Sequence, residues 1–153
     1  MDKTNPEVFK AMNEAAKQSQ KAGEQAGLSR ALLELVNVRV SQLNGCPTRL
    51  SVHVPAAEQA GVDPMKIATL PSWRHAEIFS DEERGALGLA ESLTVHSGAS
   101  RVLNGDRSDD DDAKAVETFS EEQLAALQWA IITINSFNRI SIASQYPVRR
   151  PKA

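Results

Sequence analysis

The chain has 153 residues, enough for one domain that buries most of the surface its unfolded form exposes, so a single domain is expected over 1–153 with 147–153 as a tail. A formal charge of −3 and an ordinary apolar composition imply no basic face, which argues against a nucleic-acid partner. The single cysteine, Cys46, excludes an internal disulfide and a thiolate zinc site within one chain.

Apolar residues recur at helical spacing and no alternating strand of useful length is found, which predicts an all-α fold. A first amphipathic helix is expected in "NPEVFKAMNEAAKQSQKAG", with Val8, Met12 and Ala15 or Ala16 on one side and Gly23 near its end. Ser29 then caps a second helix, "RALLELVNVRVSQL". Leu32, Leu35, Val36, Val40 and Leu43 spread over more than one of its faces, so this helix should be largely buried. Glu34 on it either faces solvent or is buried with a partner and a raised pKa.

Asn44-Gly45 breaks the chain, and Cys46 followed by Pro47 reads as an N-cap and first helical residue. A thiol there lies where free amides and the helix dipole favour thiolate. Pro55 is expected to kink or divide this third helix. "VDPMKIATL" suggests a short helix and "PSWRHAEIF" a connector. Capping-box patterns at Ser80 with Glu83, and at Ser120 with Gln123, open two further helices. The first of these carries Leu87, Ala90 and Leu93 or Thr94 on one stripe; the second is the longest apolar-periodic segment.

Between those two helices, "SGASRVLNGDRSDDDDAK" is the most polar stretch. Its block Asp109 to Asp112 lacks the alternating ligands, central glycine and terminal glutamate of a calcium loop, so no metal site is expected but a solvated loop whose last aspartates favour the start of the next helix. The N-terminal residues are polar, and the longest apolar stretch, near "WAIITI", is far too short to span a bilayer. A cytoplasmic protein without a membrane partner is expected. His75 and His96 have no acidic or thiol neighbour at revealing spacing, and Trp73 and Trp129 read as packing residues.

One constellation could carry chemistry. On a helix that begins at Cys46, residues three and seven positions further on share a face, so Cys46, Arg49 and His53 can line one wall. The tight Asn-Gly turn can return Glu34 opposite that wall. Such a set could do thiol chemistry, or acid–base work with Arg49 clamping a substrate carboxylate. The plain alternative is a buried cysteine, an Arg–Glu ion pair and a surface histidine.

The stretches "ELVNVRVSQLNGCPTRLSVH", "WRHAEIFSDEERGALGLAESLT" and "INSFNRISIA" together resemble the carboxymuconolactone decarboxylase and alkylhydroperoxidase D-like (AhpD-like) family. The resemblance implies an all-α domain of roughly six to eight helices that assembles as a homo-oligomer, a trimer or hexamer, with its pocket near a subunit contact. It also implies peroxidase chemistry in which a relay Glu precedes a Cys-x-x-Cys motif and a His follows it. Glu34, Cys46 and His53 match the relay carboxylate, the first cysteine and the distal histidine, while Arg49 stands where the second, peroxide-attacking cysteine is expected.

The site expected from the resemblance is therefore a degenerate, single-cysteine one: Cys46, Glu34 and His53 catalytic, Arg49 substrate-binding, no cofactor. Cys46 would be oxidised by a hydroperoxide to sulfenic acid and restored by an external thiol reductant. The rival expectations are a cofactor-independent decarboxylase or lyase acting on a small organic acid, and a non-catalytic oligomeric binding scaffold. Trp73, Arg74, Asn138 and Arg139 match recurrent family positions and read as packing and buried hydrogen-bonding residues.

Overall fold

The computed structural model describes residues 3–95 and 109–150, with the side chains of 109–113 excepted. Among these residues there are seven α-helices and no strand: α1 (Pro6–Gln25), α2 (Arg30–Leu43), α3 (Pro47–Gln59), α4 (Pro64–Thr69), α5 (Asp81–Thr94), α6 (Asp109–Thr118) and α7 (Glu121–Ala143), with a 3₁₀ turn at Leu70–His75. His96 and residues 97–108 of the polar stretch lie outside the described residues.

Local side-chain chemistry starts most of these helices. The Ser29 hydroxyl accepts a hydrogen bond from the Leu32 amide at 3.1 Å, and Asp63 accepts from Met65 at 2.8 Å. Both expected capping boxes form in full, Ser80 with Glu83 and Ser120 with Gln123. Each satisfies two otherwise orphaned amides in reciprocal fashion.

The link between α2 and α3 is a Schellman turn. Gly45 takes the left-handed conformation (φ 62°), its amide donates to Gln42 O at 3.0 Å, and the Cys46 amide donates to Ser41 O at 3.0 Å. Cys46 thus closes α2 and is also the N-cap of α3, with Pro47 next, although its side chain makes no capping bond. The two helices are joined without slack.

Helix α2 is the centre of the fold and packs against α3, α5 and α7. Its Leu32, Leu33, Val36 and Val40 join Ala86, Leu89, Ala90, Leu127 and Ile131 in one buried cluster. Leu35 and Val38 enter a second cluster with Ala57, Leu70, Trp73, Phe79 and Leu87. Burial on two faces is what the spread of its apolar residues predicts. Helix α1 lies on α7, where Phe9 meets Phe137 edge-on at 6.4 Å.

A carboxylate ties the second cluster together. Glu91, buried on α5, accepts from Arg39 Nε at 2.8 Å, Trp73 Nε1 at 2.9 Å and Arg74 Nη2 at 3.0 Å. Burial is the largest influence on its carboxyl and raises the pKa, but the Trp73 bond and the two arginines outweigh it, so the pKa is lowered. Trp73 and Arg74 therefore do the packing and hydrogen-bonding work expected of them.

Several expectations need correction. Val8 is exposed, and α1 presents Phe9, Met12 and Ala16 as its half-buried apolar residues. Helix α3 is not divided at Pro55; it continues to Gln59, with Leu50, Val54 and Ala57 packed on the second cluster on either side of the missing amide donor. The helix that the last aspartates of the acidic block are expected to favour does form, but it takes in all of Asp109 to Asp112 rather than starting at the block's end. Trp129 is 61% exposed, so it is not a packing residue of this chain's core. Asn138 is fully buried, but neither atom of its amide has a hydrogen-bond partner among the described residues.

Replacing Glu91 by Ala leaves two arginines and an indole N–H without their acceptor. The expected loss is about 3–5 kcal/mol of unfolding free energy, the range for breaking a buried ion pair by removing one partner. Urea unfolding of Glu91→Ala and Glu91→Gln measures it, with the amide variant expected to fall between wild type and alanine.

Candidate functional site

The rigid α2–α3 hairpin brings Glu34 and His53 together. Glu34 Oε2 lies 2.8 Å from His53 Nδ1, and both side chains are mostly buried, at 9% and 15% exposure. Two residues of α2 complete the carboxylate's shell. Arg30 donates to Oε1 through Nε at 3.2 Å, and Asn37 approaches Oε2 at 3.5 Å. Arg30 and Asn37 stand four residues before and three after Glu34, the spacings at which helical side chains meet. That spacing was the available signal for two residues not anticipated as part of the site.

Burial is the largest influence on Glu34 and raises its pKa, but the bonds and charges of His53, Asn37 and Arg30 together lower it below the ordinary carboxylate value. The direction is opposite to the raised pKa expected of a buried Glu. With Glu34 ionised, the carboxylate accepts and His53 Nδ1 bears the proton. His53 Nε2 is buried and has no hydrogen-bond partner among the described residues. In the neutral ring that nitrogen holds the lone pair, and its orientation is fixed by the bond on the opposite side.

A pocket of about 200 Å³ adjoins the pair, enclosed by α1, α2, α3 and α7. Leu28, Leu33, Ala130 and Ile134 supply apolar wall, while Glu34, Asn37, Arg30, His53, Gln20 and Thr133 supply polar groups. This combination suits a small, largely apolar molecule with one polar function.

Cys46 and Arg49 do not line this pocket. Cys46 is fully buried at the foot of α3, and seven residues of helix separate it from His53 by roughly 10 Å. Arg49 turns toward α7: its Nε donates to Ser141 Oγ at 3.1 Å and its guanidinium lies 4.7 Å from the centre of the Phe137 ring. Burial, then the charge of Arg149, lower the Arg49 pKa, opposed by Cys46 and Tyr146. The C-terminal segment reaches the same end of α3, where Thr48 Oγ1 donates to Tyr146 O at 2.6 Å and the Arg149 amide donates to Ser51 Oγ at 2.9 Å. The four residues expected to share one pocket are thus divided between Glu34 with His53 and Cys46 with Arg49.

Arg139, a recurrent polar position, donates to Asn135 Oδ1 at 2.9 Å, and Asn135 also accepts from Asn44 at 2.9 Å and donates to Thr94 at 2.9 Å. This network joins the α2 terminus to α5 and α7. His75 is exposed. Among the described residues, no group of three or more His, Cys, Asp or Glu could hold a metal ion, and no helix is long and apolar enough to cross a membrane.

The sequence profile of the carboxymuconolactone decarboxylase family matches residues 6–92. The chain is 35% identical over 138 residues to the uncharacterized protein YdfG of Bacillus subtilis (strain 168), covering 90% of this chain and 87% of that one. Its fold is similar to the crystal structure of ATU0492 from Agrobacterium tumefaciens, a protein of unknown function described as a putative antioxidant defence protein AhpD. The TM-score is 0.78 at 25% identity, over 98% of this chain and 96% of that one.

Because Glu34 and Glu91 both titrate lower in the folded chain than an ordinary carboxylate, each contributes stability above the unfolded pKa of about 4.3 that is lost as pH falls through the folded value. The urea midpoint should hold between pH 7 and 6 and drop below about pH 4.5. Glu34→Gln should flatten part of that drop; an unchanged acid limb in the variant would show that the pair does not stabilise the fold.

Proposed function

This chain belongs to the carboxymuconolactone decarboxylase family, and from that premise we propose that its Glu34–His53 pocket is a proton-transfer site working in a peroxidase-type, single-thiol oxidoreductase. The observation that carries the proposal is the Glu34–His53 bond, which leaves His53 Nε2 as an unsatisfied nitrogen beside an apolar pocket. An imidazole held by a carboxylate on one side and free on the other is suited to accept a proton and return it. The fold shared with a protein described as a putative antioxidant defence protein lends support to a hydroperoxide as substrate.

The chemistry balances with one cysteine and an external thiol. The Cys46 sulfur attacks the distal peroxide oxygen as the thiol gives up its proton, the O–O bond breaks, and that proton passes to the departing alkoxide, so that sulfur is oxidised to sulfenic acid and the alcohol is released. Two equivalents of the external thiol return Cys46 to the thiol, releasing their disulfide and water. Since Cys46 is fully buried at rest, oxidation waits on local opening of the chain around the foot of α3. The rate of sulfenate formation should therefore level off as hydroperoxide is raised.

A second reading is favoured by the exclusion of Cys46 from the pocket. In it the chain is a cofactor-independent decarboxylase or lyase in which Glu34 and His53 move the proton of a small organic acid held in their own pocket, where Arg30 rather than Arg49 is the cation within reach of its carboxylate.

Turnover of cumene hydroperoxide with dithiothreitol separates the two. Cys46→Ser should abolish consumption, and His53→Ala or Glu34→Gln should lower it by about a hundredfold, the contribution typical of a positioned acid–base group. Consumption that survives in Cys46→Ser removes the thiol mechanism. Absence of turnover in the wild-type chain, together with His53-dependent conversion of a small lactone acid, transfers the function to the second reading.

A further inference from the structure

A second cavity, of about 570 Å³, lies in the seam between α1 and α7. Met12, Ala15 and Ala22 of α1 and Trp129 and Ile132 of α7 give it an apolar wall. Trp129 and Ile132 are exposed there, and a recessed apolar patch of this kind marks a ligand groove or a contact surface. Its position decides between the two. Ser19 and Thr133, one from each helix, line both this groove and the Glu34–His53 pocket, so the two cavities meet at a pair of small side chains. The pocket by itself, at about 200 Å³, is smaller than the roughly 300–1,000 Å³ of ordinary small-molecule sites, whereas pocket and groove together fall inside that range. Contact with a second copy of the chain would cover Trp129 and Ile132, but it gives no reason for the groove to adjoin the pocket.

We propose that the α1–α7 groove holds the unbranched aliphatic tail of a substrate whose polar head lies at His53. The inference rests on the peroxidase-type reading for the head, a hydroperoxide, and makes Trp129 and Ile132 residues that set specificity for the tail. From Met12 to Ala22 the groove follows ten residues of α1, roughly 15 Å, a shape suited to an extended chain rather than a compact ring. The tail passes between Ser19 and Thr133, where larger side chains would bar it.

Trp129 supplies a readout that needs no turnover, since Trp73 is buried in the core. In Cys46→Ser protein, 1-butanol, 1-hexanol and 1-octanol should shift the Trp129 emission to the blue. Affinity should rise about two- to threefold per added methylene, less than the roughly fourfold of complete burial because the groove is open on one side. In the wild-type protein, kcat/KM for n-alkyl hydroperoxides should rise with chain length to the same degree, through KM. Ile132→Ser, at an exposed position that lines the groove alone, should remove the rise and leave turnover of tert-butyl hydroperoxide unchanged. Ser19→Leu should remove it by filling the junction. Alkanol binding without turnover of any hydroperoxide would sustain the tail site and remove the peroxidase reading of the head. Turnover independent of chain length, or alkanols that leave Trp129 unmoved, would overturn the tail site and leave the peroxidase reading standing. Dissociation of an oligomer by Ile132→Ser, with Trp129 emission already blue and insensitive to alkanols, would overturn it by assigning the groove to a second copy.

Discussion

The geometry of the pocket depends on the turn between α2 and α3. Gly45 adopts a backbone conformation that side chains disfavour, and Cys46 ends one helix while it begins the next. With no residue to spare, rotation and height of α3 against α2 are set together. Glu34 then has His53 within hydrogen-bond distance across the hairpin. A carboxylate buried this deeply is tolerated only with partners, and Arg30 and Asn37 from its own helix join His53 in supplying them.

Around that hairpin the fold is arranged to bury α2 on two sides. One apolar cluster joins it to α5, α6 and α7, and the other joins it to α3, the 3₁₀ turn and the opposite side of α5. Glu91 is the polar centre of the second, drawing Arg39 from α2 and Trp73 and Arg74 from the 3₁₀ turn onto α5. Glu34 and Glu91 are handled alike: burial opposes ionisation, and a shell of donors outweighs it. One shell ends at a histidine beside a pocket, and the other at an indole within the core.

The division of the remaining polar residues bears directly on mechanism. The long side chain of Arg49 leaves α3 toward Ser141 and Phe137 instead of the pocket. The Cys46 thiol lies at the base of the helix, enclosed by protein. The Glu34–His53 pair and the thiol are therefore spatially distinct in the resting chain. Single-thiol chemistry here must include an opening step, whereas chemistry confined to the Glu34–His53 pocket need not.

The helix starts at Ser29, Ser80 and Ser120 could be read from the sequence because each cap bonds to an amide only two or three residues away. Cys46-Pro47 was legible for a different local reason, the preference of proline for the first helical position, and the all-α architecture followed from spacing. The sequence also pointed to Glu34 and His53. Their bond, together with the separation of Arg49 from them, was decided by tertiary structure, since residues 92 positions further on supply the Ser141 hydroxyl that holds Arg49. Exposure of Trp129 and continuity of α3 through Pro55 likewise depend on surfaces supplied by distant segments. Periodicity and capping determine which residues share a helix and where it begins; which face meets which partner is settled only when the helices pack.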